Sequence, residues 1–216
     1  MMNLFDQLVL LATGLVAIYA IWMLMGRQKN VATKHFANIY FMISFAVLLV
    51  SGLLLIFLGW EILGLLGHGS GTSKLVAVVA TLIPFSLATG LVSRFYPQHE
   101  KVYLATMLTG IVLIAISRFA DMGTFARIIY PVFHSIAGLT IFFIPIMMVK
   151  NGVMSKCFYW VTVGGTLIGL GGIALGFLTA GRQLLFFSPE FVLMILAPLL
   201  FLTAFSYLWG LMRGDK

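Results

Sequence analysis

A single histidine, His134, stands inside an apolar stretch long enough to cross a membrane, in the segment Tyr130-Pro131-Val132-Phe133-His134-Ser135. A buried imidazole can ligate haem iron, meet a quinone carbonyl or relay a proton, and it can equally well hydrogen-bond a neighbouring helix. A bis-histidine haem needs a second imidazole at matching depth. The other histidine expected on the same side is His68, in the loop Gly67-His68-Gly69-Ser70-Gly71, where plain exposure is the simpler reading. His35 and His99 bracket the second and third apolar runs at the opposite side and read as interfacial loop residues.

The remaining intramembrane polar inventory consists of hydroxyls. Thr13, Ser86, Thr89, Ser135, Thr203 and Ser206 lie within apolar runs and are the residues that would line a path for a small, weakly polar solute. No Asp, Glu, Lys or Arg falls inside any run. Because a charge at the bilayer centre costs at least about 2.5–3.5 kcal/mol, such residues usually mark ion-coupled or voltage-sensing function. Their absence argues against both.

Other chemistry is weakly represented. No His-x-x-x-His or Cys-x-x-Cys spacing occurs, so zinc has no obvious ligand set. The run from Gly67 to Lys74 is glycine-rich but lacks the Gly-Lys-Ser/Thr of a phosphate loop. Arg118, Arg127 and Arg182 could meet propionates, lipid phosphates or an acidic substrate, with ordinary helix-end charges as the simpler reading beside Asp121 and Glu190. The single cysteine, Cys157, excludes an intramolecular disulfide and is expected as a reduced thiol at a membrane interface. Gly165, Gly169, Gly172 and Gly176 repeat at intervals of four, three and four, placing a smooth stripe on one helix face. Tight packing against another helix is its first meaning, and a subunit seam or a flat cofactor its second.

The elements that must position these residues follow from charge placement. With 62% hydrophobic and 9% charged residues in 216, the chain lies far from soluble domains, in which about a quarter of residues are charged. Roughly 20 apolar residues span a hydrocarbon core about 30 Å thick. Seven charge-free runs qualify, at about 7–26, 38–60, 75–93, 102–117, 128–149, 157–181 and 191–212. The expected fold is all-α, a polytopic bundle of seven transmembrane helices forming one transmembrane domain over 1–216. The fourth run is shortest, and Lys101 and Arg118 can extend their heads to water from its ends. Pro84, Pro145 and Pro198 lie well inside the third, fifth and seventh runs and invite kinks. The first run is too long, and its flank too acidic at Asp6, for a cleaved signal peptide.

Lysine and arginine set the orientation. With the N-terminus outside, nine of the 13 basic residues face the cytoplasm: Arg27, Lys29, Lys34, Arg94, Lys101, Lys150, Lys156, Arg213 and Lys216. The outer basic residues are balanced by Asp6, Glu61, Asp121 and Glu190, so the net +7 lies inside, where it meets anionic lipid. Spread over short loops, that charge gives no reason to expect nucleic acid. The location expected is a cytoplasmic (inner) membrane, N-terminus outside and C-terminus inside. Trp22, Tyr40, Tyr96, Tyr103, Tyr159, Trp160, Tyr207 and Trp209 are expected as anchors at the inner boundary, and Trp60 and Tyr130 at the outer one.

Helices one to three can be laid on helices five to seven. Gly14-Leu15 and Met23 match Gly138-Leu139 and Met147, Tyr40 and Gly52 match Tyr159 and Gly171, and Leu82-x-Pro84 with Thr89 matches Leu196-x-Pro198 with Thr203. A parallel 3+1+3 arrangement of this kind resembles the architecture of seven-helix sugar facilitators, whose sequence signatures do not occur in this chain. The first functional expectation is therefore a non-catalytic permease or facilitator for a small, weakly polar solute. The alternatives are a haem b- or quinone-binding subunit of an electron-transfer complex using His134 with His68, and a structural or assembly subunit docking other membrane proteins through the Gly165/Gly169/Gly172/Gly176 face.

Overall fold

The computed structural model describes residues 2–30, 35–63, 71–179 and 188–215. Among them the regular structure is entirely helical. Seven helices are long and apolar enough to cross a membrane, as in a multi-pass membrane protein: α1 (Leu4–Lys29), α2 (Ala37–Leu58), α3 (Gly71–Phe95), α4 (Glu100–Phe119), α5 (Gly123–Lys150), α6 (Tyr159–Thr179) and α7 (Pro189–Arg213). Short 3-10 turns at Trp60–Leu63, Pro97–His99 and Lys156–Phe158 lead out of α2 and into α4 and α6.

Most helices run past the apolar runs that define them. α5 begins at Gly123, not near 128, and so takes in Arg127. Apolar counting stops at the first charge, whereas backbone pairing continues into the interfacial zone where a charged side chain still reaches water. Local signals set the ends. The Asn3 side chain accepts from the Asp6 N–H at 2.7 Å to start α1, and Ser188 accepts from Phe191 N–H at 3.2 Å to start α7, with Pro189 in the first turn. Gly59, at φ 71°, ends α2 by donating its N–H to the Leu55 carbonyl.

Neighbouring helices approach closely because bulky side chains enter glycine gaps. Phe41 of α2 lies against Gly90 of α3, Phe133 of α5 against Gly110 of α4, Ile141 of α5 against Gly165 of α6, and Tyr207 of α7 against Gly164 of α6. Each helix packs on the next one in the chain, with α4 against both α3 and α5; α1 additionally packs on α7 and α3 on α5. Residues 84–93 of α3 are all buried, so this half of the helix is enclosed on every side, while 78–80 and 82–83 are only half-buried. Elsewhere large apolar side chains such as Leu8, Leu15, Val112, Leu139 and Met194 are exposed, as lipid-facing residues must be.

A polar tie joins three helices at the end where α7 finishes. Asp215 accepts from Arg27 of α1 at 3.0 Å and from Arg94 of α3, and Arg27 also donates to the carbonyls of Leu211 and Met212. Beside it, Glu100 of α4 accepts from Tyr40 of α2 at 2.9 Å and from Ser93 of α3 at 2.8 Å. At the opposite end, where α1 starts, Lys74 of α3 pairs with Asp121 in the α4–α5 turn.

Candidate functional site

Two of the unpartnered buried polar atoms among the described residues lie where α4 hands over to α5. The chain reverses tightly there: Ala120 N–H donates to the Ile116 carbonyl, Met122 N–H donates to Ser117, and Asp121 adopts φ 50°. This brings Arg118, in the last turn of α4, alongside the first turns of α5. Tyr130 and His134 are four residues apart and share one face of α5. Their rings stack with centroids 5.4 Å apart and planes 16° from parallel, and the Arg118 guanidinium carbon stands 5.5 Å from the Tyr130 centroid. Arg118 Nε and His134 Nδ1 are buried without a hydrogen-bond partner among the described residues. Among the described residues Arg118 makes no ion pair, and Asp121, the acid three residues on, is paired with Lys74.

α6 forms the wall beside this cluster. A methyl group placed on Gly172 would stand 3.5 Å from His134 Nε2. Two turns along, Gly165 receives Ile141, and between these contacts Gly169 has nothing within 4 Å of where a methyl would stand, as has Gly138 of α5. The stripe expected at Gly165, Gly169 and Gly172 is thus a helix seam at its ends and bare in the middle. Gly176 also lies in α6. His68 and Arg182 lie outside the described residues, so the expected partner of His134 is not placed.

The six expected path residues divide. Thr13 of α1, Ser86 and Thr89 of α3, and Thr203 and Ser206 of α7 are buried. Ser135 is not: it is exposed together with Val132, Ile136 and Leu139, on the outward face of α5. One residue beyond His134 is a rotation of about 100°, which carries it off the inner face. Thr13 donates to the Val9 carbonyl at 2.9 Å, Ser86 to Leu82 and Thr89 to Phe85 at 2.7 Å, so their protons stay within their own helices. Among the described residues Thr203 Oγ1 instead has no partner, and neither has the hydroxyl of Tyr207, one turn further along α7. A cavity of about 150 Å³ between α1 and α2 is lined by Leu10, Leu11, Gly14, Leu15, Ile18, Leu49 and Leu53 and includes none of these hydroxyls.

Tyr207 corrects one expectation outright. It is 2% exposed, wedged against Gly164 and Gly165, and not an interfacial anchor. Trp60, expected at the outer boundary, is likewise buried, at 8%. Trp22, Tyr159, Trp160 and Trp209 are exposed as anchors should be. What buries Tyr207 is its seat against Gly164 and Gly165 of α6, a contact between two helices that its spacing along α7 does not signal. His35 and His99 are exposed, and no group of three or more His, Cys, Asp or Glu able to hold a metal occurs among the described residues. Cys157 is a half-buried free thiol.

Comparison of the chain with protein-family models, with curated proteins and with solved structures finds no match in any of the three.

Proposed function

We propose that this chain is a permease or facilitator for a small, weakly polar solute, built as a seven-helix bundle in a cytoplasmic membrane with its N-terminus outside and its C-terminus inside. The observation that carries the reading is the pair of unpartnered hydroxyls on α7. Thr203 Oγ1 and Tyr207 OH are buried in an apolar interior, where a hydroxyl without a partner is costly and is retained most readily if a solute or water meets it. The half-buried stretch of α3 before Pro84 fits an entrance from the outer side, and the enclosed stretch after it, tied at Arg94–Asp215, fits closure at the inner side. Pro84 and Pro198 supply bends in the helices that would rock, and the matching of helices one to three with five to seven gives the 3+1+3 frame for that motion.

The experiment is stopped-flow light scattering of proteoliposomes challenged with glycerol, urea and glucose. At least one solute is expected to equilibrate faster than in protein-free vesicles, and Thr203→Val with Tyr207→Phe is expected to slow it. Equal rates for all three solutes with and without protein remove these solutes and weaken the facilitator reading. Labelling of single cysteines introduced at the N-terminus and in the 150–156 turn, in a Cys157→Ser background, tests the orientation: the first reacts from outside and the second does not.

A second reading rests on His134. Its unpartnered Nδ1, the bare stretch of α6 at Gly169, and Arg118 beyond Tyr130 suit a quinone or haem b in an electron-transfer subunit. A Soret band in the purified protein, sensitive to dithionite and lost in His134→Ala, selects haem. A colourless protein that carries no extractable quinone removes this reading.

A further inference from the structure

We propose that Arg118, Tyr130 and His134 form a recognition site for an oxyanion, the phosphate or carboxylate group of a ligand that enters at the end of the helices where α1 starts. The site does not depend on whether the interior conducts a solute or holds a cofactor.

The argument begins with an uncompensated cation. A guanidinium stays charged at any accessible pH and carries five N–H donors in one plane. Arg118 holds this group at the end of an apolar helix, with Nε already buried and unpaired. The acid nearest to it in sequence, Asp121, is paired with Lys74 from α3. Tyr130 offers the guanidinium a ring face at cation–π distance, which attracts the charge without accepting the in-plane donors. A planar fork of donors with no carboxylate on it is the arrangement that takes phosphate or carboxylate in bidentate fashion.

His134 extends the site inward. Its ring is held parallel to that of Tyr130, so Tyr130 has one neighbour that is cationic and another that can donate a hydrogen bond through an unpartnered, buried nitrogen. Gly172 keeps α6 from crowding the imidazole. Arg127, though nearby in sequence and equally basic, is exposed and has no such surroundings, which makes it the natural control.

The oxyanion can come from an anionic lipid headgroup or from a free acid, and the two sources separate experimentally. Full-length protein is purified in a neutral detergent and titrated with inorganic phosphate and with butyrate, read by thermal unfolding. In parallel it is reconstituted in mixed phosphatidylcholine and phosphatidylglycerol, and the lipids retained on release into the gas phase are read by native mass spectrometry. Stabilisation by phosphate or butyrate identifies a free anion; selective retention of phosphatidylglycerol identifies a headgroup. In either case Arg118→Gln is expected to weaken binding about tenfold or more, while Arg127→Gln leaves it unchanged. Arg118→Lys, which keeps the charge and loses the fork, serves if Arg118→Gln does not fold, and is expected to weaken binding at least about threefold. Absence of binding in both arms, or binding in which the Arg118 variants equal the wild type or Arg127→Gln falls equally, overturns the proposal.

Discussion

The phenol ring of Tyr207 lies against the bare backbone of Gly164, where an added methyl would stand 2.8 Å from two of its ring carbons. A side chain at 164 therefore has no room unless α6 and α7 move apart, and overpacking of this kind costs about 1–3 kcal/mol. Gly164→Val is expected to lower the unfolding midpoint in detergent. Tyr207→Phe removes a hydroxyl that has no partner and keeps the ring, so it is expected to be neutral or to stabilise by up to about 1 kcal/mol. A clear loss of stability in Tyr207→Phe instead shows the hydroxyl bound to something in the working protein.

Asp215 holds α1 and α3 to the end of α7, with Arg94 only 13% exposed on the other side of the contact. Asp215→Asn leaves two guanidinium groups without their carboxylate and is expected to cost about 1.5–3 kcal/mol, the range for hydrogen bonds to charged groups. Because the Arg94 side is poorly hydrated, the difference should persist at 0.5 M salt, where an exposed pair would be screened. Thermal melts of both proteins at low and high salt provide the check.

Tyr103 of α4 donates to Thr140 Oγ1 of α5 at 2.8 Å, and Thr140 in turn donates to the Ile136 carbonyl at 2.8 Å. A double-mutant cycle of Tyr103→Phe and Thr140→Val is expected to give a coupling near about 0.6 kcal/mol and no more than about 1.7, as for other interhelical hydrogen bonds in membranes. Zero coupling would show that the two helices do not meet there.

Ser135 and Thr89 were both expected to line a path, yet one faces lipid and the other is 1% exposed. Ser135→Leu is expected to change stability by less than about 0.5 kcal/mol, whereas Thr89→Leu must force extra volume into the enclosed part of α3, at about 1–3 kcal/mol. Similar losses for the two substitutions would contradict the rotation of α5 described above.

Seven helices and their approximate places were legible in the sequence, because lipid demands internally paired backbone and the placement of charges marks where each crossing can end. The same logic expected Trp22 and Trp209 at the surface, where both are exposed, but equally expected Tyr207 and Trp60 there, and both are buried. The glycine stripe of α6 was likewise readable, since a helical period alone puts Gly165 and Gly172 on one face. What the sequence could not decide was the rotation of each helix about its axis and the identity of its neighbour. A helix that is apolar all round carries little amphipathic signal, so nothing local distinguishes the inner side of Ser135 from the outer. Only the packing of α5 against α3, α4 and α6 separates Ser135 from His134, only the packing of α7 on α6 sets Tyr207 against Gly164 and Gly165, and only the meeting of α3 with the α4–α5 turn pairs Lys74 with Asp121. Those relations join residues on different helices, where the outcome depends on which bulky side chain fits which glycine gap and is therefore a property of the assembled fold.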